Sequence, residues 1–236
     1  MRARRAAGTA TVLAASYWSP AAALVSQRVR RLLGVHARVV AGDAVALTFD
    51  DGPHPQGTPT VLELLAREGV SATFFLVGEQ VRRGPRLAAE IVAAGHDVAL
   101  HCDRHRNLLR LTPRQARADL ERAREAIEAA AGRPVRCYRP PYGILTTPAL
   151  LGARRHGWQT VLWTRHGADW AADATPATIA ERLLRRARGG DVLLLHDADD
   201  YSAPGSWRRT VAALPRLLEG LRERRLELTA LQRTAP

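Results

Sequence analysis

From residue 43 onward the chain alternates short, nearly continuous apolar runs with longer amphipathic segments. No other feature of the sequence restricts the possible folds as strongly as this alternation. Apolar runs of this length are typical of strands buried on both faces, as in a parallel sheet. A strand-helix unit repeated in this way predicts one α/β domain over residues 43–236. The predicted strands are 44–49, 72–77, 97–101, 135–138, 160–163, 191–196 and 226–231.

The amphipathic segments carry start and stop signals of helices. Thr112, Pro113 and Gln115 form the pattern of a capping box with proline in the first turn. Glycines close several segments, as expected at helix C-termini, at positions 69, 95, 132 and 157. The predicted helices are 58–68, 85–94, 113–131, 146–156, 176–188 and 208–223.

Polar and titratable residues cluster at the C-terminal ends of most predicted strands. A glycine-rich dinucleotide fingerprint is missing after the first strand, which argues against a nucleotide-binding open sheet. In a barrel, several strands contribute their C-terminal ends to one site. The pattern therefore favours a barrel, with a site drawn from Asp50, Asp51, His101, Arg139, the 163–170 loop and His196.

Residues 1–42 are predicted to be a leader that precedes the domain. Residues 1–5 are basic, whereas residues 6–25 carry no charge, are only mildly hydrophobic and are broken by Pro20. Their length suits a bilayer span, and the alanines at 21–23 suit a signal peptidase. An uncleaved membrane anchor, a cleaved signal and a cytoplasmic leader all stay open. The charge-then-apolar pattern favours export, so we expect a cell-envelope protein, either membrane-anchored or secreted, with a cytoplasmic location as the alternative.

The formal net charge of +12 raises the question of a nucleic-acid partner. All the cationic side chains apart from histidine are arginines, and they are dispersed among glutamates along helical segments without an aromatic-rich basic patch. This distribution disfavours nucleic-acid binding and suits a solvated surface or attraction to an anionic envelope polymer. The two cysteines are too few for a disulfide scaffold. We expect a monomer.

The adjacent carboxylates Asp50 and Asp51 end the first predicted strand. Alone, Asp-Asp-Gly-Pro is typical of a solvated turn. His101 and His105 follow another strand end, four residues apart. Two histidines and one carboxylate are a common ligand set for a divalent metal with open positions. If Asp51 supplies that carboxylate, Asp50 stays free as a base.

Two further strand ends carry distinctive residues. Arg139 begins the rigid sequence Arg-Pro-Pro-Tyr-Gly, and a guanidinium held at a strand end can steady a carboxylate. His196 follows the apolar run of residues 192–195, where a satisfied core histidine is the alternative to a catalytic one.

These motifs occur together in one order: residues 48–52, His101 with His105, residues 139–143, Asp169-Trp170 and residues 193–196. In this combination the chain resembles the NodB-homology polysaccharide deacetylase family, carbohydrate esterase family four, over about residues 43–231. The resemblance implies a distorted (β/α)7 barrel, which agrees with the seven predicted strands. It also implies metal-dependent hydrolysis of N-acetyl, or alternatively O-acetyl, groups on a polysaccharide such as peptidoglycan or a chitin-like glycan.

The resemblance also implies catalytic roles. Asp50 resembles the catalytic base, and Arg139 the residue that steadies it. His196 resembles the general acid, and Asp169 its partner. The resemblance implies a divalent metal, with zinc expected and cobalt, nickel or manganese as alternatives, bound by Asp51, His101 and His105.

Substrate contacts are implied for three more positions. Tyr142 resembles the residue whose backbone N–H holds the oxyanion, and Trp170 and Leu193 resemble the walls of an acetyl-methyl pocket. In the loop after the last motif, Tyr201 and Trp207 offer flat apolar faces on which a sugar ring can stack. For Trp207, packing at the start of the next helix is the alternative.

The sequence departs from the family pattern at two positions. Cys102 stands where a serine or threonine is usual, and His166 stands where the fourth motif usually begins with aspartate. Two other functions stay open: a metal amidase acting on a small non-carbohydrate amide, and an inactive glycan-binding relic. The intact Asp50, metal set and His196 argue against the relic.

Overall fold

Parallel strands form one sheet at the centre of the computed structural model, which describes residues 17–39 and 42–231. The strands are β1 (Val35–His36), β2 (Ala44–Asp50), β3 (Thr73–Val77), β4 (Asp97–Cys102), β5 (Cys137–Tyr138), β6 (Gln159–Val161), β7 (Arg165–His166), β8 (Val192–His196) and β9 (Glu227–Thr229).

The strand order is β1-β6-β5-β4-β3-β2-β8-β7, with β9 also beside β2, and the pairs between these strands are parallel. The sheet curls with β1 at one end and β7 at the other, so it forms an incomplete barrel. The predicted α/β class and distorted barrel are confirmed. The curl matters for function because it brings the C-terminal ends of distant strands around one opening.

Helices surround the outer face of the sheet, and most of them agree with the prediction to within a few residues. Thr112 and Gln115 form the predicted capping box, and Gly69 and Gly132 adopt the left-handed conformation that ends a helix. The helices are α1 (Gln27–Leu32), α2 (Gly57–Glu68), α3 (Gly78–Arg83), α4 (Pro85–Ala93), α5 (Pro113–Ala131), α6 (Thr147–Arg155), α7 (Pro176–Leu184) and α8 (Ser206–Glu223).

Two apolar layers pack on the two faces of the sheet. The small inner layer includes Phe75, Cys137 and Val192, whereas the larger outer layer, between sheet and helices, includes Phe49 and Phe74. Side chains alternate between these layers because successive residues of a strand point to opposite faces.

Two short strands were not predicted. In β1, Val35 pairs with Thr160 and His36 with Val161, so the sheet begins before the predicted boundary at residue 43. The other strand, β7, is polar and only two residues long, which leaves no apolar run to detect. Residues 1–16 and 40–41 of the predicted leader lie outside the described residues. Within 17–39 and 42–231, no helix has the length and apolarity needed to cross a membrane.

The first turn of α2 packs tightly against the segment after β8. A Cβ atom on Gly57 would lie 2.0 Å from the backbone oxygen of Asp197. Gly57→Ala is therefore expected to displace backbone and to lower the free energy of unfolding by about 2 kcal/mol, as overpacking does. The matched control is Gly84→Ala, where the nearest atom would lie at 3.5 Å. Urea unfolding measures both variants, and equal midpoints would contradict the prediction.

Candidate active site

The C-terminal ends of the strands and the loops after them surround a cavity of about 280 Å³. Most of the residues predicted for the site line this cavity, although they lie far apart in the sequence. The lining residues are Asp50, Asp51, His101, His105, Tyr142, Trp163, Trp170, Leu194, His196, Tyr201 and Ser202.

Asp50 and Arg139 form a buried ion pair at the floor of the site. The Nη1 atom of Arg139 donates to Asp50 Oδ1 at 2.6 Å and to Thr48 Oγ1 at 2.9 Å. Its Nε atom donates to the carbonyl of Val161 at 3.1 Å, and its guanidinium lies 4.0 Å from the ring centroid of Phe75. These contacts compensate a fully buried cation and fix the position of the Asp50 carboxylate.

Asp51 faces two imidazoles. Its Oδ1 atom lies 3.5 Å from His101 Nε2 and 3.4 Å from His105 Nε2. The backbone of Asp51 has a φ of 77°, in the left-handed region that residues other than glycine rarely adopt. This turn lets two consecutive carboxylates line the same cavity, which a regular strand would not allow.

The protonation states of these three residues suit a divalent metal. His101 Nδ1 lies 2.7 Å from the carbonyl oxygen of Arg139, which can only accept, so Nδ1 carries the proton and Nε2 is free to bind a metal. Burial would raise the pKa of Asp51, but the nearby imidazoles of His101, His196 and His105 lower that pKa to about 2. Burial lowers the pKa of His105 to about 4. At neutral pH Asp51 is therefore a carboxylate and His105 a neutral imidazole.

An unpaired buried atom also supports a metal here. Among the described residues, Asp51 Oδ1, the atom that faces both imidazoles, is buried without a hydrogen-bond partner. Such an atom is costly unless something binds it. Ligand atoms of Asp51, His101 and His105 lie close enough together to hold one ion. The residues present fit the implied metal.

His196 is held by Asp169 on the far side of the cavity. Asp169 Oδ1 lies 3.1 Å from His196 Nδ1, and Asp169 Oδ2 accepts from the backbone N–H of His196 at 2.7 Å and from Thr210 Oγ1 at 2.8 Å. Burial would lower the pKa of His196, but Asp169, Asp51 and Asp50 raise it to about 10. The imidazole is therefore protonated at neutral pH, with Nε2 3.9 Å from Asp51 Oδ2.

Two aromatic residues flank the histidines at the mouth of the cavity. Tyr142 has a φ of 58° and presents its ring edge-on to His105, with ring centroids 4.6 Å apart. Trp170 lies edge-on to His196 at 5.5 Å. Both side chains are partly exposed at the cavity, where a substrate can reach them.

The predicted placement of Leu193 is wrong. Leu193 is fully buried in the outer apolar layer, between the sheet and the helices. Because side chains alternate along β8, Leu194 is the residue that shares the cavity face with His196. The position of His196 was enough to identify this face, since Leu194 lies two residues before it. Trp163, the first residue of the 163–170 loop predicted to contribute to the site, also lines the cavity, although the sequence assigned it no individual role.

The predicted sugar contact of Trp207 is also corrected. Trp207 lies in the first turn of α8, is only 7% exposed and is not among the residues that line the cavity. Its ring packs near His54, at 5.6 Å, and under the guanidinium of Arg208, at 4.3 Å. These contacts agree with the packing alternative.

Tyr201 lies at the cavity but is engaged with other protein groups. Its ring stacks on His105 with centroids 4.5 Å apart and an angle of 18°, and its hydroxyl donates to Glu79 Oε1 at 2.7 Å. Gln80 Nε2 donates to the same hydroxyl at 3.3 Å. Tyr201 is thus placed to orient His105.

The orienting role of Tyr201 leads to a testable difference between two substitutions. Tyr201→Ala removes the stacked ring and is expected to weaken metal binding by about tenfold, the lower end of effects for residues that orient ligands. Tyr201→Phe keeps the ring on His105 and is expected to bind metal nearly as well as the native protein. Competition with a chromogenic chelator measures both affinities. Unchanged affinity in Tyr201→Ala would show that the stacking does not position His105.

The two departures from the family pattern differ in location. Cys102 is buried outside the cavity, burial raises the pKa of its thiol, and it is not part of the candidate metal group. His166 lies at the surface beside Trp170, with ring centroids 5.0 Å apart. Partial desolvation beside its neighbours and the charge of Arg182 lower the pKa of His166.

Comparisons with known proteins identify the family of this chain. Residues 37–161 match a family model described as polysaccharide deacetylase. A peptidoglycan-N-acetylglucosamine deacetylase of Bacillus cereus is 33% identical over 181 residues, covering 76% of this chain and 82% of the relative. A chitooligosaccharide deacetylase of Sinorhizobium fredii is 38% identical over 187 residues, covering 77% of this chain and 86% of the relative.

Solved structures share the fold. A peptidoglycan N-acetylglucosamine deacetylase in complex with 4-naphthalen-1-yl-N-oxidanyl-benzamide has a TM-score of 0.82 and 26% identity, covering 89% of this chain and 96% of that one. A pseudoenzyme of carbohydrate esterase family four from Bacillus anthracis has a TM-score of 0.74 and 28% identity, covering 82% of this chain and 65% of that one.

Proposed function

The chain belongs to the polysaccharide deacetylase family, and from this premise we propose that it hydrolyses N-acetyl groups of peptidoglycan or a chitin-like glycan to acetate and a free amine. The proposal rests on the following arrangement of residues. Asp50, braced by Arg139, and His196, braced by Asp169, line the same cavity as the metal-binding set of Asp51, His101 and His105.

The residues proposed to hold the metal are Asp51, His101 and His105, and zinc is the expected ion. Two imidazoles and one carboxylate leave coordination positions open for water and substrate. When bound, a divalent ion supplies Lewis-acid polarisation of the acetyl carbonyl and lowers the pKa of water. The protonated Nδ1 of His101, donating to the carbonyl of Arg139, would fix the orientation of that ligand.

Asp50 is proposed as the general base. Its carboxylate accepts the proton of the attacking water, a role that requires an ionised group at the cavity surface. Arg139 keeps that carboxylate in place through the 2.6 Å contact.

His196 is proposed as the general acid. Its imidazolium donates a proton to the leaving amine nitrogen, which would otherwise depart as a poor leaving group. Asp169 orients the ring through Nδ1, and this leaves Nε2 as the donor towards the cavity.

Groups around the acetyl moiety complete the proposal. The backbone N–H of Tyr142 is proposed to stabilise the tetrahedral oxyanion, which is usually the largest catalytic contribution. Trp170 and Leu194 are proposed to enclose the acetyl methyl group, with Leu194 replacing Leu193 because Leu194 lies on the cavity face.

A substrate panel tests the proposed function against its alternatives. We expect the zinc-loaded protein to release acetate from peptidoglycan or N-acetylated chitooligosaccharides faster than from O-acetylated polymers or small cyclic amides. Faster hydrolysis of a small amide would favour an amidase. No acetate from any compound would favour an inactive relic, a real alternative because a family member of similar fold is a pseudoenzyme.

We further propose that the protein acts in the cell envelope as a monomer, anchored or exported through its N-terminal segment. Support comes from the basic residues 1–5, the uncharged residues 6–25 and the exposed apolar side chains of Trp18, Val25 and Leu32. Fractionation of cells that express the full chain, followed by sizing of the extracted protein, tests location and oligomeric state. Recovery in the cytosolic fraction alone would contradict the location.

A further inference from the structure

A second depression, here called the arginine groove, lies beside the catalytic cavity and has a volume of about 620 Å³. The 24–38 segment, residues 163–165 and the turn before β8 form its walls. Its charged lining residues are Arg30, Arg31, Arg38, Arg165, Arg188 and Asp191. Five arginines against one aspartate leave four positive charges in one concave surface.

Three of the arginines are fixed in place. Asp191 accepts from Arg38 at 3.0 Å and from Arg165 at 2.7 Å, so a single carboxylate serves two guanidinium groups. Arg30 donates to the backbone carbonyls of Ala23 and Leu24 at 2.9 and 3.2 Å, not to a carboxylate. The groove thus has ordered positive charge that its own acidic group only partly neutralises.

The other two arginines are exposed and available. Among residues 17–39 and 42–231, neither the Arg31 nor the Arg188 side chain forms a hydrogen bond or ion pair. Guanidinium groups bind carboxylates and phosphates in a bidentate manner, and a concave surface of one charge sign concentrates oppositely charged ligands.

The arginine groove adjoins the catalytic cavity at Trp163, a residue that lines both. Trp163 thus forms a shared wall between them. A glycan strand with one sugar at the catalytic residues would have to pass this residue to reach the groove.

We propose that the arginine groove binds oxyanion substituents, carboxylates or phosphates, on the part of the glycan strand that extends beyond the reacting sugar. This inference rests on the proposed deacetylase function and deepens it, because it makes an anionic polymer the preferred substrate over a neutral oligomer. It also gives a role to four of the positive charges that contribute to the net charge of +12.

The test compares a double variant, Arg31→Gln with Arg188→Gln, with a control, Arg114→Gln with Arg117→Gln. The control removes the same charge from exposed positions on α5. On carboxylate-bearing peptidoglycan strands or on phosphate-bearing strands at low salt, the double variant is expected to raise KM by about tenfold, the combined size of two exposed charge contacts. A comparison of the carboxylate-bearing with the phosphate-bearing glycan strands shows which of the two oxyanions the arginine groove binds. On neutral chitooligosaccharides of matched length, KM is expected to stay unchanged, as it is for the control on every substrate.

An equal change in the KM of the double variant on neutral and anionic strands would overturn the proposal. An unchanged KM on both anionic strands would also overturn it. Loss of binding to anionic phospholipid vesicles with unchanged KM on all glycans would assign the groove to a membrane surface instead. Equilibrium binding of the same strands keeps the test independent of turnover. If the native protein released no acetate at all, the proposed function would fail, whereas weaker strand binding by the double variant would still support the groove.

Discussion

Replacing Asp50 with Asn is expected to lower kcat by about a hundred-fold or more, the scale of a lost acid-base group, while the metal stays bound. Asn keeps the shape of the side chain but cannot accept a proton at neutral pH. Arg139 retains its contacts with Thr48 and Val161, so the floor of the cavity keeps most of its hydrogen bonds.

The matched control is Asp173→Asn, which changes the same residue type at an exposed surface position. It is expected to leave kcat and metal content unchanged. Acetate release gives the rate, and elemental analysis of the same sample gives the metal content. A near-native kcat in Asp50→Asn with normal metal content would mean that another group accepts the proton.

Replacing Asp51 with Asn is expected to abolish metal binding and activity together. Loss of a direct ligand should weaken binding by more than the roughly 10- to 100-fold that follows loss of an outer-shell partner. Asn is the better test than Ala because Asp51 has a φ of 77°, a conformation that Asn tolerates more readily than most residues. The substitution therefore removes the charge without adding much backbone strain.

Metal affinity and acetate release in Asp51→Asn separate the roles of the two adjacent carboxylates. The expected pattern is metal lost in Asp51→Asn and metal kept in Asp50→Asn, with low turnover in both. Full metal occupancy in Asp51→Asn would place the metal on other ligands. A fall in thermal stability without a change in metal affinity would give Asp51 a structural role only.

Much of the fold could be predicted because its signals are local. Apolar runs several residues long predict the strands β2, β3, β4 and β8, and the capping residues around Thr112 predict the start of α5. Strands of two residues, such as β1 and β7, have no apolar period and depend on pairing with distant strands. Their existence could not be predicted from the local pattern.

The candidate site likewise contains residues that local sequence patterns predict and contacts that those patterns cannot predict. Strand ends marked Asp50, Asp51 and His196, since polar residues after apolar runs stand out in a sequence. In contrast, Thr210 supports Asp169 from 41 residues away, in the interior of a helix, and no local pattern marks that contact. Trp207 shows the opposite error, because its aromatic face suited a sugar but tertiary packing buries it.

Glycan deacetylation by this chain is proposed to depend on one divalent metal held by two histidines and one aspartate. The most direct measurement is acetate release from N-acetylated glycan by native protein that is stripped of metal and then titrated with zinc. We expect background release from the stripped protein and recovery that saturates at about one zinc per chain, the stoichiometry of a single His₂-carboxylate site. Acetate release that persists in verified metal-free protein, or no release at any zinc level, would contradict the proposal.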